Sequence, residues 1–408
     1  MDLTRPGYSK IPAYCLLIAV VAISFLFSPR PKPGAHYCGQ YIPIGEHMGF
    51  IFNCDAADYC MSAQHPSRIL GDSAVRQSRP TYILLASALG YPLQWIASRI
   101  DIPLFHSMGE EAAGFIGFYA AFVLINFISL LLCLLLFEAI AVRLTGRAIN
   151  NWLLFSFGIL LVSHPITKAF FWTAHQQFFS LLMPLVSIRL SLHILEEQKT
   201  LKHIGSMSFL SGLLMLVYGN FIVMFAAIFC TAFMVDRKIH LVHSIKNCLL
   251  FLLPTALWVA YCIYINGHYY NHEVAKYQQL VWIPRSLQIS FSVFLRSLRQ
   301  NIGAYMGTFR EIIIFIVPAI LSFTYLWGRE QERRPQLLSL VITGLLTFVF
   351  FLLLGFYEER LTYSLLPVLL CITWFGASRS PVGRHPVLFI IAAIGWHIYN
   401  VFSYGPFS

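Results

Sequence analysis

Residues 112–142, "AAGFIGFYAAFVLINFISLLLCLLLFEAIAV", contain a single charged side chain, Glu138. A run this apolar has no polar face to turn toward water. At about 1.5 Å per residue, a helix through it is long enough to cross the ~30 Å hydrocarbon layer of a bilayer. Inside lipid, backbone groups must be satisfied within the segment itself, so the run is predicted to be helical. The rest of the chain has the same character. Of its 408 residues, 58% are hydrophobic, 35 are phenylalanine and only 11% are charged. Further apolar runs lie near 11–29, 151–163, 176–195, 205–217, 220–235, 247–265, 311–327, 336–355, 361–376 and 386–404. The expectation is an all-α polytopic membrane protein of about eleven transmembrane helices, forming one integral membrane domain over 1–408. The first run has the length of a signal peptide. It lacks a small-residue cleavage site and runs straight into Pro29, Arg30 and Pro31, so it reads as a membrane helix.

Orientation follows from the short connections. "RLTGR" (143–147), "EEQKTLKH" (196–203), "DRKIHLVHSIK" (236–246), "GREQERRPQ" (328–336) and "SRSPVGRH" (378–385) are basic or mixed. The opposing short connections carry only Lys168 and Arg360 as fixed cations. Positive-inside bias therefore places the N-terminus in the cytoplasm and the C-terminus outside, in an inner (plasma) membrane. A single long helix over 205–235 would reverse everything downstream, but "VYGNF" (217–221) offers a turn, and a short hairpin is the reading adopted. Two long extracytoplasmic segments result, about 30–110 and about 266–310. The net charge of +10 is mostly a topology signal plus outer-face arginines; with no basic helix or RNA-binding motif beside it, it is no evidence for nucleic acid, and no nucleic-acid partner is expected.

The first outer segment concentrates the chemistry. "FNCDAADYC" (52–60) sets Asp55 and Asp58 three apart, with Asp55, Asp58, Tyr59 and Ser62 on one side of a helix that His65-Pro66 closes. "RQSRP" follows, with Arg76 and Arg79, then an amphipathic stretch from Tyr82 to about Ser98 suited to the membrane interface through Tyr82, Tyr91 and Trp95. Helix capping by Asp55 and lipid phosphates on the arginines would account for each residue singly. Together, carboxylates and guanidinium forks on a nearly uncharged chain suit a reaction with a base and an anionic leaving group.

"DAADY" in a loop after the first helix, "RPTYILL" with its interfacial helix, the short membrane hairpins and "YEERLTYSLLP" (357–367) together resemble the GT-C superfamily of membrane glycosyltransferases. The last motif is similar to the Arg-aromatic-Pro pattern of bacterial members that use polyprenyl-phosphate sugars. The resemblance implies a GT-C-like fold with interfacial helices in the first outer loop. It also implies transfer of a sugar from a polyprenyl-phosphate-linked donor to a glycan, lipid or protein acceptor at the extracytoplasmic face. It implies Asp55 or Asp58 as base, with Arg76, Arg79 and Arg360 on the donor phosphate. In this sequence about 25 residues, including Cys38 and Glu46, separate the first helix from the acidic pair, so Glu46 stands as a lesser candidate base. A surface-polysaccharide polymerase or ligase, or a lipid or glycan transporter, are the competing functions. The first predicts tolerance of Asp55→Asn, and the second predicts ionisable groups deep in helices.

Other groups support or compete. In "FWTAHQQFF" (171–179), His175, Gln176, Gln177 and Trp172 suit contact with sugar hydroxyls, while an interfacial belt explains the aromatics equally well. Lys168 reads as an interfacial anchor. Glu358 or Glu359 would orient Arg360. Membrane lipids are expected partners, and Arg285, Arg296, Arg299 and Arg310 suit their head groups. No cofactor follows from the motifs. A divalent metal stays open, and His268, His272 and Glu273 are the one run at ligand spacing. Cys38, Cys54 and Cys60 face outside, with no connectivity readable from spacing. Glu138 is expected near the cytoplasmic interface, reaching it or pairing with Arg143.

Overall fold

The computed structural model describes residues 10–32, 38–99, 114–146, 150–238 and 240–403. In chain order these form α1 (Ile11–Ser24), a hairpin of β1 (Gly39–Pro43) and β2 (Gly49–Asn53), α2 (Ala56–Gln64), α3 (Pro80–Ala97) and α4 (Ile116–Thr145). Next come α5 (Asn151–Val162), α6 (Pro165–Phe170), α7 (Phe179–Glu196), α8 (Gly205–Met215), α9 (Ile222–Asp236) and α10 (Leu241–Asn266). The remainder is α11 (His272–Tyr277), α12 (Trp282–Ile289), α13 (Phe291–Gly307), α14 (Ile313–Arg329), α15 (Arg334–Leu354), α16 (Glu359–Thr362), α17 (Leu366–Arg379) and α18 (Pro386–Phe402).

Among the described residues, six helical segments are long and apolar enough to cross a membrane: Ile116–Thr145, Gln176–Glu196, Gly219–Asp236, Leu241–Asn266, Gln331–Leu354 and Glu359–Arg379. Five shorter apolar helices accompany them, Ile11–Phe27, Asn151–Val162, Gly205–Met215, Ile313–Arg329 and Pro386–Phe402. The chain is an all-α membrane protein with, among the described residues, one departure, the antiparallel hairpin, whose register sets Gly39 opposite Asn53 and Ile42 opposite Phe50.

The core sits where α4, α7 and α17 meet, walled by α9 and α15. Phe122, Phe137, Phe157, Phe178 and Trp374 fill it with almost no exposure. α10 behaves differently. It leans chiefly on α8 and presents Leu241, Val242, Leu249, Leu257 and Tyr264 outward, as a helix facing lipid would. α3 is pressed tightly onto the start of α4. A Cβ added to Gly117 would lie 2.1 Å from the Gln94 backbone nitrogen, and one on Gly90 would lie 2.3 Å from the Phe118 ring. The approach lets Gln94 Oε1 accept the Gly117 N–H at 2.7 Å, satisfying an orphan donor at the start of α4. Tyr82 is consequently fully buried and not interfacial, while Tyr91 and Trp95 remain exposed.

The break predicted within 205–235 is present. Tyr218–Phe221 turn the chain, and the Leu216 carbonyl accepts the Thr81 N–H at 3.2 Å, tying this turn to the head of α3. The basic connections gather at one end. Arg143 pairs with Glu196, Arg379 donates to the Thr145 carbonyl at 2.7 Å, and Asn247 donates to the Leu201 carbonyl at 2.7 Å. Glu138 belongs to that end, but its partners are Lys10 Nζ at 2.6 Å and the Tyr14 hydroxyl at 2.7 Å, not Arg143. An acidic group inside an apolar helix needs such partners, since burying it alone is costly. Lys168 is no loose anchor. Its Nζ donates to the Asn400 and Ser403 carbonyls at 3.1 and 2.7 Å, closing the C-terminal end of α18.

Candidate functional site

At the other end of the bundle lies a cavity of about 530 Å³. Asp55, Asp58, Arg76, Arg79, His175 and Arg360 all line it, although they come from stretches as far apart as α2 and α16.

The segment carrying the aspartates is held by its neighbours. A disulfide joins Cys38 to Cys54 just beyond the hairpin ladder, leaving Cys60 as a buried free thiol. Asn53 Oδ1 accepts the Asp55 N–H at 3.0 Å, and the Asn53 N–H donates to Thr173 Oγ1 at 3.0 Å. Asp55 thus stands at the head of α2, with no side-chain capping bond. Its carboxylate turns instead to Arg76, Oδ1 lying 2.8 Å from Nη2, while Asp58 Oδ2 accepts from Arg76 Nε at 2.8 Å. One buried guanidinium offsets the repulsion between two carboxylates that are themselves 44% and 36% exposed, so both acids face the open side of the cavity.

Tyr59 lies behind this group, fully buried. Its ring sits under Arg76, 4.0 Å from the guanidinium carbon to the ring centre. Its hydroxyl accepts from Arg79 Nη1 at 2.7 Å and donates to Gln176. Tyr59 therefore positions both arginines and does not itself line the cavity. Arg79 forms its ion pair with Glu273. Burial works against the charge on Arg76 and Arg79. Contacts with Tyr59 and with Asp55 or Glu273 outweigh it and keep both guanidiniums above their ordinary value.

His175 enters from a turn pinned on several sides. Asn126, buried in α4, donates to the carbonyls of Phe170, Phe171 and Thr173 at 3.1, 3.0 and 2.9 Å, and Tyr119 donates to the Trp172 carbonyl at 2.8 Å. Burial, then Arg360, Arg79 and Arg76, push the His175 imidazole well below its usual value, so it is neutral. A neutral ring can accept, and Arg360 Nη1 lies 3.5 Å from its Nε2. Gln177 donates to the Arg360 carbonyl at 3.3 Å, fixing α16 from the same turn. Gln176 and Gln177 line the cavity, whereas Trp172 lies away from it, in an apolar cleft beside α1.

Glu358 is the ion-pair partner of Arg360. Burial holds its carboxyl above the usual range, the nearby Asp55 adds to this, and Arg360 works against it. Glu359 does not line the cavity; burial and the charge of Glu311 hold its carboxyl above the usual range, and Arg310 works against them. Glu46 is 88% exposed at the hairpin tip and does not line the cavity. Arg285, Arg296, Arg299 and Arg310 are exposed and likewise outside it. Among the described residues no group of three or more His, Cys, Asp or Glu side chains could hold a metal. His268 instead lies 3.9 Å from Asp72.

Several lining residues escaped sequence reasoning: Glu273 as partner of Arg79, together with Tyr218, Asn220, Tyr269 and Lys276. The "VYGNF" turn was visible as a break. Nothing in its composition pointed to a cavity. Away from the charged groups the lining becomes apolar, with Ile222, Phe350, Phe351 and Leu354 from α9 and α15. Comparison of the chain with protein-family models, with curated proteins and with solved structures finds no match.

Proposed function

We propose that the protein is a GT-C-like glycosyltransferase, an enzyme that moves a sugar from a polyprenyl-phosphate donor to an acceptor at the extracytoplasmic face of a plasma membrane. On this reading the chain crosses the membrane eleven times, through the six long segments and the five shorter apolar helices. One observation carries the proposal. Three carboxylates, three guanidiniums and the neutral His175 imidazole, from distant stretches, share a cavity whose lining continues into an apolar wall. A water-soluble substrate has no use for that wall, while a phosphate on a prenyl chain needs both parts.

The chemistry has a place for each step. The acceptor oxygen attacks the anomeric carbon, the carbon–oxygen bond to the phosphate breaks, and its electron pair leaves on the phosphate oxygen. Configuration inverts. The acceptor proton passes to a carboxylate, Asp55 first and Asp58 second, both being open to the cavity. Charge growing on the leaving phosphate is met by Arg79 and Arg360, an interaction stronger in the transition state than in the ground state. Arg76 donates to both aspartates and is cast as their positioning group. Glu358, beside Asp55 and held above the usual carboxyl range, orients Arg360. Gln176, Gln177 and neutral His175 supply hydrogen bonds to sugar hydroxyls.

Complementation of a deletion strain, followed by mass analysis of surface glycans, tests the proposal. Asp55→Asn with Asp58→Asn is expected to accumulate unmodified acceptor at normal protein level. Wild-type glycans from the double variant would end the reading.

A further inference from the structure

The stretch from Asn266 to Val281, between α10 and α12, runs along one side of the cavity. Its first end is fixed twice. The Asn266 amide donates to the Leu70 carbonyl, and the Tyr270 N–H donates to Gln77 Oε1 at 2.6 Å, on a fully buried Gln77. Its far end is fixed by the Leu280 N–H on the Leu354 carbonyl at 3.1 Å and by Trp282 Nε1 on the Leu353 carbonyl at 2.9 Å. Between these anchors α11 has no buried residue. Among the described residues, His272 meets the Tyr270 hydroxyl at 3.2 Å and Gln278 accepts the Val281 N–H at 3.0 Å, but the polar ties of 271–279 to residues outside 266–281 run through Glu273, to Arg79 and to Ser78 Oγ at 3.0 Å. The Tyr277 ring adds an apolar contact with Phe356 at 4.9 Å between centroids. Left-handed backbone brackets the helix, at Gly267 (φ 76°) on one side and at Gln278 (φ 53°) and Leu280 (φ 63°) on the other. Two of those three are not glycine, so the closed form is held against local strain.

A helix of six residues with no buried side chain does not hold itself in place. Here a single carboxylate holds it, on a guanidinium that an anionic substrate group would also seek. We infer that Glu273 is a displaceable counter-ion and that 271–279 is a cover. Glu273 occupies Arg79 and keeps the cover down. A phosphate that takes Arg79 frees the carboxylate and lifts the cover, opening the charged floor to an acceptor. The inference rests on the proposed phosphate chemistry and adds an order to it, donor before acceptor.

The test uses the purified full chain in nanodiscs, with hydrogen exchange followed over 266–281 and binding measured for farnesyl phosphate and for inorganic pyrophosphate. In the wild-type protein, saturating farnesyl phosphate is expected to speed exchange in 271–279 severalfold while 266–270 stays protected. Glu273→Gln is expected to exchange fast without ligand and to bind farnesyl phosphate about tenfold tighter, a difference of about 1.4 kcal/mol. A response to pyrophosphate but not to farnesyl phosphate keeps the cover and removes the lipid-donor reading. Sugar transfer without any change in 271–279 removes the cover and leaves the transferase. Unchanged exchange with both anions, or weaker binding by Glu273→Gln, overturns the inference.

Discussion

At the scale of single residues, the cavity is a set of charges already paired: Arg76 with two aspartates, Arg79 with Glu273 and Arg360 with Glu358. Arg76 has the geometry that lysine cannot copy, since a planar fork reaches two carboxylates at once. Arg76→Lys is expected to keep the chain folded and to lower kcat by roughly 10–100-fold with KM little changed, because one aspartate loses its register. Equal loss of kcat and KM effects in steady-state transfer assays would count against a positioning role. The buried histidines make a separate prediction. Burial pushes His164 down to about 3 and, helped by the three arginines, lowers His175 well below its usual value. In the unfolded chain each binds a proton below about 6.5, and in the folded chain neither does until much lower pH. The unfolded state therefore binds more protons, and stability falls as pH drops below about 6.5, both histidines contributing in that direction. Thermal unfolding at pH 7 and pH 5 is expected to show this loss in the wild-type protein and a smaller one in His175→Gln.

At the scale of elements, the helices were legible because lipid imposes a simple rule, and the loops were not because water imposes none. Apolar length alone located α4, α10 and α15, and the Tyr218–Phe221 break was readable because Gly219 and Asn220 interrupt an apolar run. The hairpin was hidden. "GQYIP" and "GFIFN" are each only five residues long, and their pairing is closed by a disulfide that spacing could not assign. Asp55, Asp58, Arg76, Arg79 and Arg360 were readable as charges out of place in an apolar chain. Glu273 was not, since its value lies in a partner 194 positions away. The hairpin's role is testable. The disulfide joins cysteines 16 positions apart next to Asp55, so its loss frees the segment that aims this proposed base. Cys38→Ser with Cys54→Ser is expected to loosen hydrogen-exchange protection in 39–53 by roughly 2–4 kcal/mol and to lower kcat more than KM. The crossing of α3 and α4 predicts a different failure. Gly117→Val must displace the Gln94 backbone, and a loss of about 1–3 kcal/mol in detergent stability is expected, with Ala at the same site less severe.

For the whole molecule, the two ends of the bundle differ in kind, and that difference is what gives the chain a direction. One end collects Arg143, Glu196, Arg333 and Arg379 with the start of α1, tied together by hydrogen bonds between connections that are far apart in sequence. The other end collects α2 with the hairpin beside it, the turn bearing His175, the Tyr218–Phe221 turn and Arg360 on α16, with the cavity among them. The basic connections are the ones that positive-inside bias assigns to the cytoplasm. If that bias governs, the cavity opens outward, the side that the proposed lipid-linked donor requires. Labelling with a membrane-impermeant thiol reagent decides it. Gly45, at the hairpin tip with nothing near its Cβ position, and Lys202, between α7 and α8, are suitable sites for single introduced cysteines. Gly45→Cys is expected to label in intact cells, and Lys202→Cys only after permeabilisation. Labelling of both from the same side would place the charged cavity and the basic connections in one compartment, and an outward-facing transferase could not then be built on this fold.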